Sequence, residues 1–404
     1  MKVRHGFGRR LLFLLLSMGS VATVQAGTVW TSPITNAVAW TKAGSPHTWS
    51  GDLTVGAAGL VTIEPGAVVQ YGANYTISVN AGGQILAVGT ADDPITIGGL
   101  SETTKGGTLT LSSAKTCEFR FCHFANMYSI VINATAPQGK HLFEHSIFRK
   151  FPYHLIQLND APARILHCIF RDNTVGMYGV YMNCTVPFSD EICPTIWYNA
   201  FDQYGLLVTV PDYGSIDMNN YDFFRYNRVG GGSGIVFAGA RGPSFLRFRL
   251  LDCDLGNASP SLSLQCTGGW SCNMDALSIE RCNLSTLSGP VAGVVTNLAN
   301  NYWGMTNMST IAAALFGGTL SANVALPIST TNVFPQADVD GSDNGNRTCQ
   351  ADADLVKKYI VGMTNLNTQQ LSIADVDHNG KVDARDALII ESYANGLIWK
   401  LPVP

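Results

Sequence analysis

Near its C-terminal end the chain reads Asp375-Val376-Asp377-His378-Asn379-Gly380-Lys381-Val382-Asp383-Ala384-Arg385-Asp386. Oxygen-bearing side chains fall at the first, third, fifth, ninth and twelfth places, with a glycine at the sixth. This alternation points carboxylates and an amide into one tight bend, and the glycine allows the bend to be sharp. A hard cation that takes roughly 6–8 oxygens is the species it suits, so the sequence predicts a calcium ion. Asp375, Asp377, Asn379, Asp383 and Asp386 are the expected side-chain ligands, with Lys381 contributing its backbone carbonyl.

The bend has an imperfect copy upstream. Ala337-Asp338-Val339-Asp340 returns 37 residues later as Ala374-Asp375-Val376-Asp377, whereas Asp352 returns 34 residues later as Asp386. The first loop is therefore three residues longer. Its expected ligands are Asp338, Asp340, Asn344 and Asp352, and the stretch Asp343-Asn344-Gly345 leaves the middle ones open. Each loop runs into a helical pattern, Ala353 to Val361 stopped by Gly362 and Ala387 to Ala394 stopped by Asn395-Gly396. From Gln336 to Gly396 there are ten acidic residues against five basic ones, after a Thr/Asn/Pro connection at Ser329 to Pro335. That shift predicts a separate all-α domain over 336–400.

Upstream of it the pattern is β and repetitive. Phe119 to Phe124, Phe143 to Phe148, Ile165 to Phe170, Ile196 to Phe201, Leu250 to Leu255 and Ile279 to Leu284 share one motif: apolar, two variable, small, one variable, apolar. The small places hold Cys122, Ser146, Cys168, Asn199, Cys253 and Cys282. With Phe224 taken as a further final place, these places recur 22 to 31 residues apart. Coils of that length, stacked about 4.8 Å apart like neighbouring strands, make a parallel solenoid in which equivalent residues form ladders. Immediately after the final place stand Arg149-Lys150, Arg171-Asp172, Asp202-Gln203 and Arg225-Tyr226. One-turn stacking predicts a vertical outer stripe of mixed charge, readable as solvated ion pairs or as a grip for a uronate-rich polysaccharide. Were the domain catalytic, Arg171, Asp172, Asp202 and Arg225 are the candidate residues.

Two resemblances sharpen this reading. Leu60 to Val69, Gly82 to Ile97 and Asn300-Asn301-Tyr302-Trp303-Gly304 resemble secreted bacterial right-handed parallel β-helix proteins, a fold shared by many pectin-type enzymes. The duplicated loop and helix resemble type I dockerins, which implies calcium as cofactor and a cohesin domain as partner. In that family the residues before each terminal Asp help choose the cohesin; here they are Gln350-Ala351 and Ala384-Arg385, not the common Ser/Thr pair. The expected class is thus mainly β: a right-handed parallel β-helix over 27–330 with a small all-α C-terminal domain. A docking component and a polysaccharide lyase or glycoside hydrolase both remain open. No dense Asp cluster of the polygalacturonase type and no pectate-lyase constellation is visible.

The remaining signals concern location. Arg4, Arg9 and Arg10 precede an apolar run from Leu11 to Leu16, and Val24-Gln25-Ala26 fits a cleavage site, so residues 1–26 read as an export signal. The run is too broken to anchor the protein, and the mature chain is expected to be secreted or surface-held without a membrane span. A net charge of −4 offers no basic stripe for nucleic acid. Cys184 with Cys193 and Cys266 with Cys272 are spaced for local disulfides, whereas Cys122, Cys168, Cys253 and Cys282 read as stacked buried thiols.

Overall fold

A computed structural model describes most of residues 27–210, strand segments from there to 297, and residues 339, 350–377, 379–394 and 401. Within these residues the chain winds as a parallel solenoid of three sheets. Sheet A runs from Thr28–Trp30 through His47–Trp49, Val68–Tyr71 and Ile95–Gly99 to Cys122–Ala125, Ile147–Arg149, Ile169–Arg171, Ala200–Phe201 and Arg228–Val229. Sheet B carries Leu53–Val55 at one end and Leu262–Cys266 at the other, and sheet C begins with Ala37–Trp40. Each strand pairs in parallel with its counterpart one coil away, for example Phe124 with Phe148 and Phe148 with Phe170.

Period-two alternation drives the coil. In Leu60–Ile63, Val61 and Ile63 are buried while Thr62 is exposed. Two aromatic ladders fill the interior. Phe119 and Phe143 stack at 5.0 Å, and Phe124, Phe148, Phe170 and Phe201 stack successively at 4.9, 4.8 and 4.6 Å with nearly parallel planes. Such ring pairs add roughly 0.5–1.5 kcal/mol each beyond the area they bury. At the N-terminal end Trp40, Trp49 and Tyr71 continue the core as tilted and edge-on neighbours 5.1 and 4.8 Å apart.

The small places of the motif sit at the corner between sheets C and A, and their chemistry follows from the backbone there. Among the described residues the one before the small place has positive φ: Phe121 51°, His145 50°, His167 53°, Tyr198 64° and Tyr226 56°. This bend leaves the next N–H pointing along the coil, where a compact polar side chain can accept it. Ser146 Oγ accepts from Cys122 N at 3.1 Å, Asn199 Oδ1 from Cys168 N at 2.8 Å and Asn227 Oδ1 from Asn199 N at 2.9 Å.

Asn227 also corrects the sequence alignment. Phe224 is not a final place: it pairs with Ile196 in sheet C, and Val229 pairs with Phe201 in sheet A. The motif is Phe224 to Val229, one complete coil that the spacing of final places skips. Arg225 consequently pairs with Trp197 on sheet C and does not stand in the stripe of Arg149 and Arg171, which are register partners on sheet A.

The buried thiols stand as the repeat predicts. Cys122 and Cys168 are free, Cys253 and Cys282 are fully buried, and burial pushes the Cys168 thiol up to about 12. Cys184 is a free thiol, also pushed up to about 12 first by burial, so the expected Cys184–Cys193 bridge is not formed. The side chain of Cys266 and all of Cys272 lie outside the described residues, as do residues 1–26 and Asn300 to Gly304.

The C-terminal region folds around its own core, with Val339, Ala353, Val356, Ala374, Val376, Ala387, Ile390 and Tyr393 among its buried members. Its helices are α1 (Gln350–Ile360), α2 (Thr368–Ala374) and α3 (Ala384–Ala394). Helix α1 ends where the pattern places its stop: Gly362 has φ 74°, and Met363 N donates to Lys358 O at 2.8 Å. Helix α2 lies between the two copies of the loop and helix, where the repeat marks no element. No helix among the described residues is long and apolar enough to cross a membrane.

Candidate metal centre

The second acidic bend lies between α2 and α3, and each helix positions part of it. Asp375 is the C-cap of α2, its N–H bonded to Leu371 O, while Asp386 stands in the first turn of α3. Gly380 takes φ 84°, the left-handed conformation that turns the loop back on itself. The fold is held by the acidic residues themselves. Asp375 accepts from Asn379 N at 3.1 Å and Gly380 N at 2.9 Å, and Asn379 Oδ1 accepts from Lys381 N at 2.9 Å. Asp383 Oδ1 accepts from Arg385 N at 2.8 Å.

Asp386 does the most. Fully buried, it accepts from Val376 N at 3.0 Å and Asp377 N at 3.3 Å through Oδ1, and from Asp383 N at 2.9 Å through Oδ2. The start and end of the bend are thereby tied to one carboxylate. Asp375, Asp377 and Asp386 bring one oxygen each to within 4.8 Å of one another. Asp377 Oδ2 is buried and has no hydrogen-bond partner, although Arg385 Nε stands 3.4 Å away. Three carboxylates this close repel one another, and a buried oxygen without a donor is costly; a bound cation relieves both. The donor set is oxygen throughout, which fits calcium and does not fit a soft metal.

Of the six predicted ligands, Asp375, Asp377 and Asp386 converge, and Asn379 and Asp383 accept backbone hydrogen bonds within the turn. Lys381 N donates one of these, and its carbonyl is the predicted sixth ligand. In the first loop Asp352 is fully buried and accepts from Val339 N at 2.7 Å, the counterpart of Asp386 accepting from Val376 N. Asp338, Asp340 and Asn344 lie outside the described residues.

Among the described catalytic candidates, Arg225 stands apart from Arg171 and Asp172. Arg171 Nε, at the end of its sheet A strand, lies 3.9 Å from Asp172 Oδ2, Arg225 belongs to sheet C with its guanidinium 4.6 Å from the Tyr226 ring centroid, and Asp202 lies outside the described residues. On sheet A the described part of the stripe holds Arg149 and Arg171, with Asp172 beside Arg171. Arg149 and Arg171 adjoin there, and the imidazole of His123 is held below its ordinary range first by burial and then by these two cations.

The four residues expected to face a partner, Gln350, Ala351, Ala384 and Arg385, are all exposed. Gln350 Nε2 reaches Glu391 Oε1 at 3.1 Å, and Lys357 Nζ meets the same oxygen at 2.8 Å, so α1 and α3 lie side by side. Exposed apolar side chains accompany them: Leu388 on α3, and Val361 and Met363 after α1.

A family model, the dockerin type I domain, matches residues 336–395. Neither the curated proteins nor the solved structures include a match to this chain. The matched span contains both acidic loops and all three helices, and its internal symmetry is visible in the paired bonds of Asp352 and Asp386. Residues 336–395 are a type I dockerin domain, following a parallel β-solenoid in the same chain.

Proposed function

We propose that this protein is exported, binds calcium in its C-terminal domain and, so folded, docks onto a cohesin-type partner while its solenoid contacts a polysaccharide or surface. The observation that carries the reading is the convergence of Asp375, Asp377 and Asp386, with a buried Asp377 oxygen that accepts no hydrogen bond, inside a dockerin domain. A calcium ion there supplies the charge that lets the carboxylates lie together. Asp386 then holds both ends of the loop closed, which seats α3 against α1 with Arg385 and Leu388 outward. Docking through such a surface is a calcium-dependent protein contact, not a catalytic one.

Contact without turnover is favoured for the solenoid because, among the described residues, only Arg171 and Asp172 of the catalytic candidates adjoin. The Arg149–Arg171 pair with His123 suits an anionic polymer such as a uronate chain. A lyase or glycoside hydrolase acting on such a chain is the competing reading, and it depends on Asp202 joining Asp172. Capture of the full chain by an immobilised cohesin domain in calcium, with loss of capture in chelator, is the expected result. Capture that persists in chelator excludes the calcium-dependent reading, and product release from a uronate polysaccharide excludes the noncatalytic one.

A further inference from the structure

Arg228 belongs to the solenoid, in the sheet A strand whose Val229 turns into the core, and its side chain is half-buried on the outer face. It nevertheless touches the dockerin domain twice. Its Nη1 donates a hydrogen bond to the carbonyl of Tyr393, 165 residues further along the chain. Its guanidinium carbon also stands 4.4 Å from the centroid of the Tyr393 ring.

Tyr393 sits at a place that selects for this partner. It lies in the last turn of α3, and the last four carbonyls of a helix have no acceptor role within it. The aligned peptide dipoles make that end electronegative, so a cation there is stabilising. Helix α3 has no basic residue in its own last turn, and Arg228 brings one from another domain. The Tyr393 ring, 6% exposed, packs in the dockerin core together with Ile390 and Ala387 of its own helix. Arg228 can therefore meet ring and carbonyl together only when α3 is formed and seated. A guanidinium is suited to the task because it can lie flat on a ring while donating in its own plane, which an ammonium cannot do.

We propose that Arg228 is an intramolecular docking residue that holds the folded dockerin domain against sheet A of the solenoid by capping and stacking on the end of α3. Because both partners share one chain, the effective concentration is high, so even a modest contact biases orientation. The attachment leaves the partner-facing residues outward: Gln350, Ala351, Arg385 and Leu388 remain exposed with Arg228 in place. A cohesin-type partner engaging them would meet the solenoid at a set angle, not on a free tether. In this respect the inference builds on the docking function proposed above, although the Arg228 contact itself needs only that the module be folded.

The test uses the full chain in calcium, as wild type, R228A and R228K, read by small-angle X-ray scattering and amide hydrogen exchange. R228A is expected to enlarge the radius of gyration and to speed exchange in the last turn of α3 roughly 3- to 10-fold. R228K, which keeps the charge and loses the stacked fork, should fall between the two in exchange. It also carries the prediction should R228A lose the solenoid's β spectrum. Scattering and exchange identical to wild type in both variants would overturn the docking. The helical circular dichroism gained on adding calcium is recorded in the same samples: its absence in wild type counts against the calcium reading, whereas its presence with an unchanged R228A counts against Arg228 alone.

Discussion

The solenoid and the dockerin domain solve the problem of burying apolar surface in opposite ways. Each coil of the solenoid adds the same ladder positions to its neighbour, so stability accumulates along the chain as nearest-neighbour stacking, Phe on Phe at 4.6–5.0 Å. The dockerin domain has one small core closed by three short helices and a loop of carboxylates. A domain of about 60 residues gains little from burial alone, and a structural metal commonly supplies the rest. The difference teaches where a ligand can control this molecule. Removing a cation should leave the coils untouched and dismantle the module.

The strongest way to break that contrast is Asp375→Ala combined with Asp386→Ala. Losing Asp386 strands the half-buried N–H donors of Asp377 and Asp383 and leaves Val376 N with the Ala374 carbonyl alone. At about 1–3 kcal/mol for each unsatisfied group, the loss exceeds what so small a core holds in reserve. The expected outcome is a chain that gains no helical signal on calcium addition and shows no calcium heat by titration calorimetry, yet keeps the β spectrum of wild type. Calcium binding undiminished in this variant contradicts the site.

The second test acts on the solenoid alone and uses pH. His141 is buried, and its Nδ1 accepts from Cys117 N at 3.1 Å, a bond that requires an unprotonated nitrogen. Burial lowers its pKa from 6.5 to about 4. The folded chain thus resists protonation while the unfolded chain accepts it. The contribution of His141 is whole above the unfolded value, falls as pH drops from 6.5 towards 4, and is gone below that. A shift of that size corresponds to about 3 kcal/mol. Denaturant melts followed by tryptophan emission should lose that stability over this window, and His141→Asn, whose amide oxygen can accept the same N–H, should flatten the slope. An unchanged slope in His141→Asn assigns the pH dependence elsewhere.

How far the sequence displays all this depends on how local each signal is. The second acidic loop is complete within twelve consecutive residues, so its ligand places can be read from spacing alone. The first loop carries three extra residues, and only its last ligand, Asp352, has a described place. The solenoid is legible because its inward places repeat, but taking Phe224 as a final place skips the coil of Phe224 to Val229, in which Phe224 is the first apolar place. Asn227 at the small place was the signal that would have found it. That skip also moved Arg225 into the wrong stripe, since one shifted coil reassigns a residue to another sheet. Arg228 could not be singled out at all: its partner is 165 residues away, and nothing local marks it. Cys184 and Cys193 show the converse error, because loop length permits a bridge without requiring one.

Helix α2 is the other element that spacing alone conceals, and it offers the finest probe of the comparison. Its seven residues are too few to show an amphipathic period, but its start carries a reciprocal cap. Asn367 Oδ1 accepts from Gln370 N at 2.9 Å, and Gln370 Oε1 accepts from Asn367 N at 3.0 Å. Gln370 further donates to Val339 O at 2.8 Å, joining the cap to the first loop. Since α2 delivers Asp375 directly into the calcium loop, fraying it should be felt as weaker calcium binding. Asn367→Ala should cost about 1 kcal/mol, the usual value of an N-cap. Where metal binding and folding are one process, that cost appears as an apparent calcium affinity about fivefold weaker. Asn367→Ser, which can still accept the Gln370 N–H, should restore most of it, and neither variant should move the solenoid's melting transition. If Asn367→Ala lowers that transition while calcium affinity holds, stability is shared between the two regions and not divided as argued.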